Sequence, residues 1–481
     1  MPARSGAQFL RGLRDSRAVW LGADKVTDPL EHPALRGAAE AIAAVFDLHH
    51  AHPEDCLMPD PQTAEPIAVS HMIPRSRDDL LRRHRALRRV AEFSAGLMGR
   101  TPDYMNVTFA GFAGRSDEWG ANGNEQRAAN LVAYQRKLAR EDLSLTHTLI
   151  HATIDKAKGH VPAGFDATQL HKVEDTGSGI LVRGARVLAT LAPFADELAV
   201  YPSQPMPDAS VRHALSFCIP MDTPGLKFIC RDSVSLPGNR FDHPFSSRFD
   251  EQDAFVIFDN VEVPRDRIFI DGNLPVYNSV MSASWRGNAM HQTMIRAWTK
   301  LEFAWGLATR MAEAINADDP VTQQMLGEIW SYAELTRAAV MAGEQGAYEY
   351  GNGCWFLDQR PMNALRAILP YWFPRVNEII RLIGSHNVLC TPAAAQFADP
   401  HLRPLIDKYL RGAGDVTAEQ RARIFRLGWD FAGTALASRN EQYERFYLTS
   451  GARNRQGNQL RAERAVADAM VDRFLREDAA V

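Results

Sequence analysis

The spacing of hydrophobic residues divides the chain into three stretches. Over about the first 150 residues apolar positions recur every three or four residues, as in helices that bury one face. From about residue 177 to residue 270, short segments rich in Val, Ile and Phe alternate with turn residues, which predicts strands. After Pro275 the helical spacing returns and continues to the end. The pattern therefore predicts helices, then a compact β sandwich or barrel, then a helical bundle.

We divide the chain accordingly into residues 1–150 (N-terminal helical domain), 151–275 (central β domain) and 276–481 (C-terminal helical bundle). The fold class is α+β. The predicted strands lie at 179–190, 197–203, 214–221, 226–236 and 254–264, with turn residues at 224–225, 237–239 and 259–260. Long C-terminal helical segments are predicted near 280–318, 321–350, 361–384 and 417–447, punctuated by Pro320, Pro370, Pro374 and Pro392.

Composition narrows the class of protein without naming a function. The 481 residues carry a net charge of -4 and are 46% hydrophobic, which excludes a disordered chain and argues against a nucleic-acid binder. No apolar run has the length of a membrane span, and residues 1–16 lack the apolar core of a secretory signal. Five scattered cysteines are interpreted as reduced thiols of a cytoplasmic protein, with no metal framework: Cys56, Cys218, Cys230, Cys354 and Cys390.

An arginine-rich segment follows Ser76, which forms a predicted capping box with Asp79. Its arginines are expected on a solvated or inter-subunit face, paired with carboxylates; a phosphate-binding face is the alternative. They are Arg82, Arg83, Arg85, Arg88 and Arg89. The chain has neither a GxGxxG after a strand nor a GxxxxGK[ST], so neither type of nucleotide-binding loop is indicated.

A few residues have the chemistry of a reactive cleft. Arg100 and Tyr104 are predicted at a helix-to-loop corner, where both can hold an anionic or phenolic oxygen. His147, expected half-buried at the edge of a helical segment, is a candidate general base. A surface arginine, a core tyrosine and a structural histidine are the plainer alternatives. His291 and His386 are isolated histidines without an acidic or cysteine companion at metal-ligand spacing, so no metal site is predicted.

Several phrases, in one order along the chain, resemble the oxygenase components of the 4-hydroxyphenylacetate 3-monooxygenase family. They are MGRTPDYMN at 98–106, DLSLTHT at 142–148, VRGARVLAT at 182–190, the long string from Phe241 to Ile270, and QYERFY at 442–447. The resemblance extends from residue 32 to residue 453. It implies an acyl-CoA-dehydrogenase-like fold and a homotetramer or homodimer.

The resemblance also implies a reaction. Such oxygenases take reduced FAD, or in some cases reduced FMN, from a separate NAD(P)H:flavin reductase. Oxygen forms a flavin C4a-hydroperoxide, and a phenol is hydroxylated ortho to its hydroxyl. Arg100, Tyr104 and His147 would then surround the phenol oxygen, with His147 handling its proton. The segment from Ser203 to His213 would be a closing loop, with Ser203 and Gln204 contacting substrate.

For the flavin, the resemblance implies Thr190 beside the ring and Arg453 near the phosphate or ribitol. The segment after His147 also lines the flavin in this family, and here it departs from the family pattern. Its candidate residues are Thr153, Asp155 and Lys156. Thr153 stands where relatives carry an amide, and Lys156 stands where they carry an arginine. The position two before Thr190 is Leu188, and the C-terminal Asp of relatives is Ser450.

Two alternatives stay open at this point. The substrate could be a halophenol or nitrophenol, a tethered tyrosyl group or a nitrogen heterocycle. The altered segment also allows a flavin-independent accessory or binding member of the fold. The iron–sulfur branch of this superfamily, the 4-hydroxybutyryl-CoA dehydratases, is excluded because no cysteine lies near Arg100 and Tyr104.

Overall fold

The computed structural model describes residues 3–152, 154–155, 157, 163–281 and 285–477. The N-terminal part is mainly helical. Its helices are α1 (Gly6–Gly12), α2 (Pro33–Ala51), α3 (Pro53–Cys56), α4 (Arg77–Phe93), α5 (Pro102–Gly114), α6 (Ser116–Trp119) and α7 (Glu125–Glu141). Its strands are β1 (Val19–Leu21), β2 (Asp24–Val26), β3 (Leu57–Pro59) and β4 (Pro66–Ala68).

Two packed sheets form the centre of the molecule. Their strands are β5 (Leu145–Thr148), β6 (Ile150–His151), β7 (His171–Asp175), β8 (Gly179–Thr190), β9 (Glu197–Val200), β10 (Leu215–Pro220), β11 (Leu226–Cys230), β12 (Asp253–Pro264) and β13 (Ile268–Asp271). One sheet has the order β2-β1-β11-β12-β8-β6, with β7 also paired to β8; the other has the order β13-β10-β9-β5. Apolar side chains of both sheets, such as Phe217 and Phe258, meet in the shared core.

The C-terminal part is a helical bundle with one β hairpin. Its elements are α8 (Leu274–Val280), α9 (Arg286–Ala314), α10 (Pro320–Gln345), β14 (Tyr348–Gly351), β15 (Cys354–Phe356), α11 (Gln359–Gly384), α12 (Ala394–Ala398), α13 (Arg403–Tyr409), α14 (Ala418–Ala432), α15 (Ala435–Phe446), α16 (Gly451–Arg461) and α17 (Ala465–Glu477). Within the described chain, no helix is both long enough and apolar enough to cross a membrane.

The N-terminal part is less purely helical than its spacing predicts. Strand β1 pairs in parallel with β11, so residues 19–26 extend the central sheet. Strand β5 begins at Leu145, before the expected start of the β domain at residue 151, and pairs in parallel with β9. A three-residue strand carries too little alternation to be recognised locally, because its partner is far away in the chain.

The helical segment predicted at 361–384 is confirmed as α11. Pro370 and Pro374 lie inside this helix, where packing against several neighbouring helices offsets the lost backbone hydrogen bonds. The predicted turn at 259–260 was wrong. Asp259 and Asn260 do not separate two strands. They form a bulge within β12, where Asn260 has a φ of 55° and the register to β8 shifts.

The arginine-rich helix α4 confirms one part of its prediction and contradicts another. The Ser76 hydroxyl caps the helix by accepting the N–H of Asp79. Arg88 and Arg89 pair with carboxylates as expected, Arg88 with Glu92 and Arg89 with Asp55. Arg83 does not, because it is fully buried and its Nη1 donates to the amide oxygen of Asn288. Helical spacing alone could not reveal that this position faces α9.

A buried charge cluster joins α15 to α9. The Glu444 carboxylate accepts two hydrogen bonds from Arg296, at 2.7 and 2.9 Å, and one from Lys300 at 3.0 Å. Burial alone would raise the pKa of Glu444, but the two cations lower it to about 2. All three side chains are buried, so removing the carboxylate would leave two cations without compensation.

We therefore expect Glu444→Gln to lower the free energy of unfolding by roughly 3–5 kcal/mol at pH 7, measured by urea denaturation. The contribution of Glu444 is complete above its ordinary pKa of 4.5 and declines as the pH falls toward 2. Glu378→Gln, which removes a half-exposed partner of Arg375, is the control and should cost less than about 1 kcal/mol. Equal losses for both variants would contradict the role of the buried cluster.

Candidate active site

A cleft of about 540 Å³ opens between the β domain and the C-terminal helices. Its walls come from α5, the loop after β9, α8 and the segment from α15 to α16. The lining residues are Arg100, Tyr104, Leu149, Ser203, Gln204, Pro205, Tyr277, Asn278, Met281, Trp285, Arg366, Tyr447, Leu448, Thr449, Arg453, Asn454, Gln456, Gly457, Leu460 and Arg461. The cleft therefore unites five predicted site residues from distant parts of the chain: Arg100, Tyr104, Ser203, Gln204 and Arg453.

Arg100 lies immediately before α5, which begins with Pro102 at its first position. Its guanidinium is surrounded by three aromatic rings, which we call the tyrosine cage. The guanidinium carbon is 4.0 Å from the ring centre of Tyr104, 4.8 Å from that of Tyr447 and 5.2 Å from that of Tyr443. Burial opposes the charge, but the phenolic oxygens of the cage more than offset this effect and raise the pKa of Arg100. The site therefore contains a permanent cation beside aromatic faces.

His147 lies on strand β5 rather than at the edge of a helix, and it is buried rather than half-buried. Its ring is stacked between Tyr104, at 5.6 Å between ring centres, and Tyr201, at 5.3 Å. Burial first, and then the charge of Arg100, hold the pKa of His147 well below 6.5. His147 is therefore neutral at physiological pH. It is not part of the cleft wall but lies directly behind Tyr104.

Neither Tyr201 nor Trp285 was selected from the sequence. Tyr201 is fully buried against His147, and burial raises the pKa of its phenol well above 10. Trp285 lines the cleft, and a hydrogen bond between its side chain and the Tyr201 phenol partly opposes the effect of burial on the pKa of that phenol. Tyr201 follows strand β9, so its proximity to His147 depends on the parallel β5–β9 pairing, which spacing could not predict.

Thr190 is the last residue of β8, and its hydroxyl donates to Asp253 at 2.7 Å. Asp253 also accepts hydrogen bonds from Arg439 at 2.8 and 2.9 Å. Burial would raise the pKa of Asp253, but Arg439 and Arg231 lower it, so the carboxylate stays ionised. Thr190 is thus fixed by a buried ion pair between β12 and α15. It is not among the residues that line the cleft.

The cleft is strongly positive. Four arginines line it, Arg100, Arg366, Arg453 and Arg461, whereas its described lining contains no Asp or Glu. Helix α16 also begins at the cleft, with Ser450 as its N-cap, and a helix N-terminus favours negative charge. Arg453 is exposed, and its side chain is available to a ligand. The electrostatics fit a ligand with several negative charges.

The predicted closing loop is the connection between β9 and β10, and its second half is a 3₁₀ helix, Asp208–His213. The loop is joined to α8 by two hydrogen bonds between Met206 and Asn278, at 2.8 and 2.9 Å. Ser203 and Gln204 therefore line the cleft on a loop that is hydrogen-bonded to α8 at Met206.

The segment after His147 is only partly described. Asp155 is exposed, and its carboxylate accepts the N–H of Ala157 at 3.0 Å. It does not line the cleft. Thr153 and Lys156 lie outside the described residues, so the structure does not address their predicted contacts with flavin. Leu188, which replaces a threonine of some relatives, is half-exposed and has a φ of 71°.

His291 does have an acidic companion, contrary to the interpretation of the sequence. Its Nε2 is 2.9 Å from a carboxylate oxygen of Glu344, and Nδ1 of His84 is 2.5 Å from the same oxygen. Sequence spacing missed the cluster because its members come from three helices, α4, α9 and α10. Both histidines contact one oxygen of the carboxylate. Burial would raise the pKa of Glu344, but the two histidines lower it to about 2.

His386 is exposed just after the end of α11.

Comparison with known proteins gives a consistent result. The family models for the N-terminal and C-terminal parts of 4-hydroxyphenylacetate 3-hydroxylase match residues 5–270 and 278–476. The 4-hydroxyphenylacetate 3-monooxygenase oxygenase component of Thermus thermophilus is 35% identical over 456 residues, covering 93% of this chain and 92% of that protein. The oxygenase component of 4-nitrophenol 2-monooxygenase from Rhodococcus is 30% identical, covering 92% of this chain and 85% of that protein.

Solved structures agree. The crystal structure of the oxygenase component of 4-hydroxyphenylacetate 3-monooxygenase, complexed with FAD and 4-hydroxyphenylacetate, has a TM-score of 0.93 and 33% sequence identity, covering 99% of both chains. An archaeal 4-hydroxybutyryl-CoA dehydratase, at 18% identity and a TM-score of 0.88, shares the fold.

Fold and cleft together define a flavin-dependent aromatic monooxygenase with an acyl-CoA-dehydrogenase-like architecture. The chain belongs to the 4-hydroxyphenylacetate 3-hydroxylase family. The resemblance drawn from the sequence is confirmed.

A buried acid next to the site gives a test of its electrostatics. Burial raises the pKa of Asp103 to about 6, although hydrogen bonds with Thr101 and Gln292 partly oppose this. The folded protein therefore binds this proton more tightly than the unfolded chain, whose value is near 3.8, and stability falls as the pH rises from about 4 to 6.

We expect Asp103→Asn to raise the free energy of unfolding at pH 8 by on the order of 1–3 kcal/mol, and by less at pH 5. Urea denaturation at both pH values measures the effect. Asp266→Asn, at an exposed position, is the control and should change stability little at either pH. A gain that is independent of pH would contradict the buried-acid explanation.

Proposed function

We propose that this protein uses reduced FAD and O₂ to hydroxylate a phenolic substrate ortho to its hydroxyl. The observation that carries the proposal is the partly buried Arg100 in its tyrosine cage, beside a neutral His147, at one end of a cleft lined by arginines. A permanent cation stabilises a phenolate, and a neutral imidazole can accept the proton.

The cleft fits the flavin dinucleotide. Its arginines and the N-terminus of α16 complement a diphosphate, and no carboxylate in the described lining opposes it. We assign Arg453 to the phosphate or ribitol region, together with Arg461, and Thr190 to the neighbourhood of the ring. Asp155, Thr153 and Lys156 are assigned to the flavin by resemblance alone, and Thr153 and Lys156 differ from the residues that relatives carry at these positions. When bound, reduced flavin supplies the activated oxygen atom; reduced FMN is the alternative cofactor.

The residues around Arg100 prepare the phenol. The guanidinium of Arg100 and the hydroxyl of Tyr104 hold the phenol oxygen, and His147 shares or takes its proton. Removing this proton makes the ring carbon ortho to the oxygen electron-rich, as attack on an electrophilic oxygen requires. Because burial and Arg100 lower the pKa of His147, the imidazole is neutral and free to accept the proton when substrate binds.

The other residues of the cleft wall are assigned to the recognition of the substrate. Leu149, Met281 and Trp285 offer an apolar surface to an aromatic ring, while Ser203 and Gln204 are assigned to the ring substituent. The loop from Ser203 to His213 is assigned the role of a lid that excludes water. Relatives named for 4-hydroxyphenylacetate and for 4-nitrophenol make a para-substituted phenol the best first substrate to test.

Partners follow from the same proposal. A separate NAD(P)H:flavin reductase supplies the reduced flavin, as the oxygenase-component relatives imply. A homotetramer or homodimer is supported by exposed apolar side chains along α10, at Trp330, Leu335 and Met341, which suit packing against a second copy. A cytoplasmic location fits the five free cysteines.

A flavin-independent accessory role is the weaker candidate, since the compared relatives are named as monooxygenases. The two functions are separated by supplying chemically reduced FAD, O₂ and a panel of para-substituted phenols to the purified protein. We expect a catechol product and saturable binding of reduced FAD. If flavin reoxidises at its free rate without product from any phenol, and reduced FMN behaves alike, the oxygenase proposal fails.

His147→Ala should lower the amount of product formed per flavin oxidised by about tenfold or more, because proton removal from the phenol is lost. Flavin oxidation itself should continue, with hydrogen peroxide released in place of product. Chromatography of the product and a peroxide assay measure the two outcomes. His386→Ala, at an exposed position, is the matched control. Equal loss of flavin oxidation and product would contradict the proton-handling role.

Arg453→Met should weaken the binding of reduced FAD by about tenfold, the value of one hydrogen bond to a charged group. The position at which the phenol is hydroxylated should not change. Anaerobic titration measures the affinity, and Arg310→Met, at an exposed position on α9 outside the cleft, is the control. An unchanged affinity for reduced FAD would refute the assignment of Arg453.

A further inference from the structure

The direction of the Arg100 guanidinium depends on helix α15. Nη1 of Arg100 donates a hydrogen bond to the hydroxyl of Tyr443. The same nitrogen also donates to the backbone oxygen of Gly99 at 3.2 Å. Tyr443 itself stacks on Tyr447, with 4.5 Å between ring centres and an angle of 8°. The Tyr443 ring therefore cannot turn without moving its neighbour, and its hydroxyl is a fixed acceptor.

Gly99 makes this approach possible. A Cβ at residue 99 would lie 2.2 Å from the hydroxyl oxygen of Tyr443, closer than any real contact. Only glycine therefore lets the chain that carries Arg100 come so close to α15. The Tyr443 hydroxyl is therefore close to Arg100 for two reasons: the close approach of the Gly99 backbone and the hydrogen bond from the guanidinium.

The backbone of Arg100 is fixed from the same helix. Its N–H donates to Glu251 at 2.6 Å, and the other carboxylate oxygen of Glu251 accepts from Arg439 at 2.8 Å. Arg439 and Tyr443 are four residues apart, so they lie on one face of α15. Arg439 also holds Asp253, the acceptor of the Thr190 hydroxyl. One helix face thus contacts the proposed phenol-binding arginine and, through Asp253, is linked to the residue assigned to the flavin ring.

We propose that Tyr443 is a positioning residue for hydroxylation, acting through Arg100, and that Arg439 on the same face sets the position of Arg100 relative to Thr190. This inference rests on the proposed function of Arg100. Tyr443 does not touch the reacting atoms. Its hydroxyl sets the direction in which the guanidinium presents its remaining donors, and a misdirected donor holds the phenol in an unproductive orientation.

Tyr443→Phe is the primary test, because it removes one oxygen and keeps the stacked ring. We expect the dissociation constant for the phenol to rise about threefold to tenfold, the effect of one lost hydrogen bond. The yield of product per flavin oxidised should fall several-fold, with matching release of hydrogen peroxide. The affinity for reduced FAD should stay at the wild-type value.

Arg439→Lys keeps the positive charge but loses the bidentate hydrogen bonds to Asp253. It should lower the yield of product per flavin oxidised.

Tyr332→Phe is the matched control, since Tyr332 also stacks on a neighbour, Trp372, and donates to a side chain, Glu328, but lies on α10. It should leave the product yield unchanged. A merely structural role for Tyr443 would lower thermal stability without changing the product yield per flavin oxidised, and that result would overturn the proposal.

Arg100→Met separates this inference from the proposed function. If Arg100→Met binds the phenol as tightly as the wild type, the assignment of Arg100 itself fails. If Arg100→Met loses the phenol but Tyr443→Phe keeps wild-type affinity and yield, only the positioning inference fails. In the double variant, Tyr443→Phe should add nothing to the loss from Arg100→Met. A further loss would show that Tyr443 acts independently of Arg100, which also overturns the inference.

Discussion

The site is organised around one partly buried cation whose guanidinium contacts no carboxylate among the described residues. Arg100 is stabilised by the faces and phenolic oxygens of the tyrosine cage, and the carboxylate that it contacts in the described part of the chain, Glu251, accepts from its backbone N–H. A carboxylate on the guanidinium would neutralise the charge that an anionic ligand needs. The aromatic surroundings shield the cation while leaving it available to the cleft, and they bring α5, β5 and α15 together at this point.

The ion pairs behind the site explain how elements from distant parts of the chain are held in register. Glu251, just before β12, and Asp253, its first residue, both pair with Arg439 of α15, and these pairs connect the β domain to the C-terminal bundle. Glu444 of α15 forms a fully buried pair with Arg296 of α9, which connects two helices within that bundle. Buried pairs of this kind specify one geometry, because any other arrangement leaves a charge uncompensated.

Sequence reasoning predicted well what depends on local pattern. The order of helices, strands and helices is confirmed, and strand β8 has the bounds that its alternation indicated. The reasoning failed where distant residues decide the outcome: β1 joins the sheet through β11, Arg83 is buried against α9, and Glu344 meets His291. Arg100, Tyr104 and His147 were candidates because of their chemistry, and the resemblance gave them roles. Their contacts with Tyr201, Tyr443 and Tyr447 come from the packing of α5, β9 and α15, which no local spacing records.

The low basicity of the stacked imidazole has a consequence for the range of aromatic compounds that the protein can use. In the proposed mechanism a weakly basic acceptor gives little driving force for ionising an ordinary phenol, so the guanidinium contributes most of the stabilisation of the anion. Electron-poor phenols that are already ionised near neutrality need no such transfer, but their rings are worse nucleophiles. Reactivity across a substituent series should thus pass through a maximum, where ease of ionisation and ring nucleophilicity are balanced.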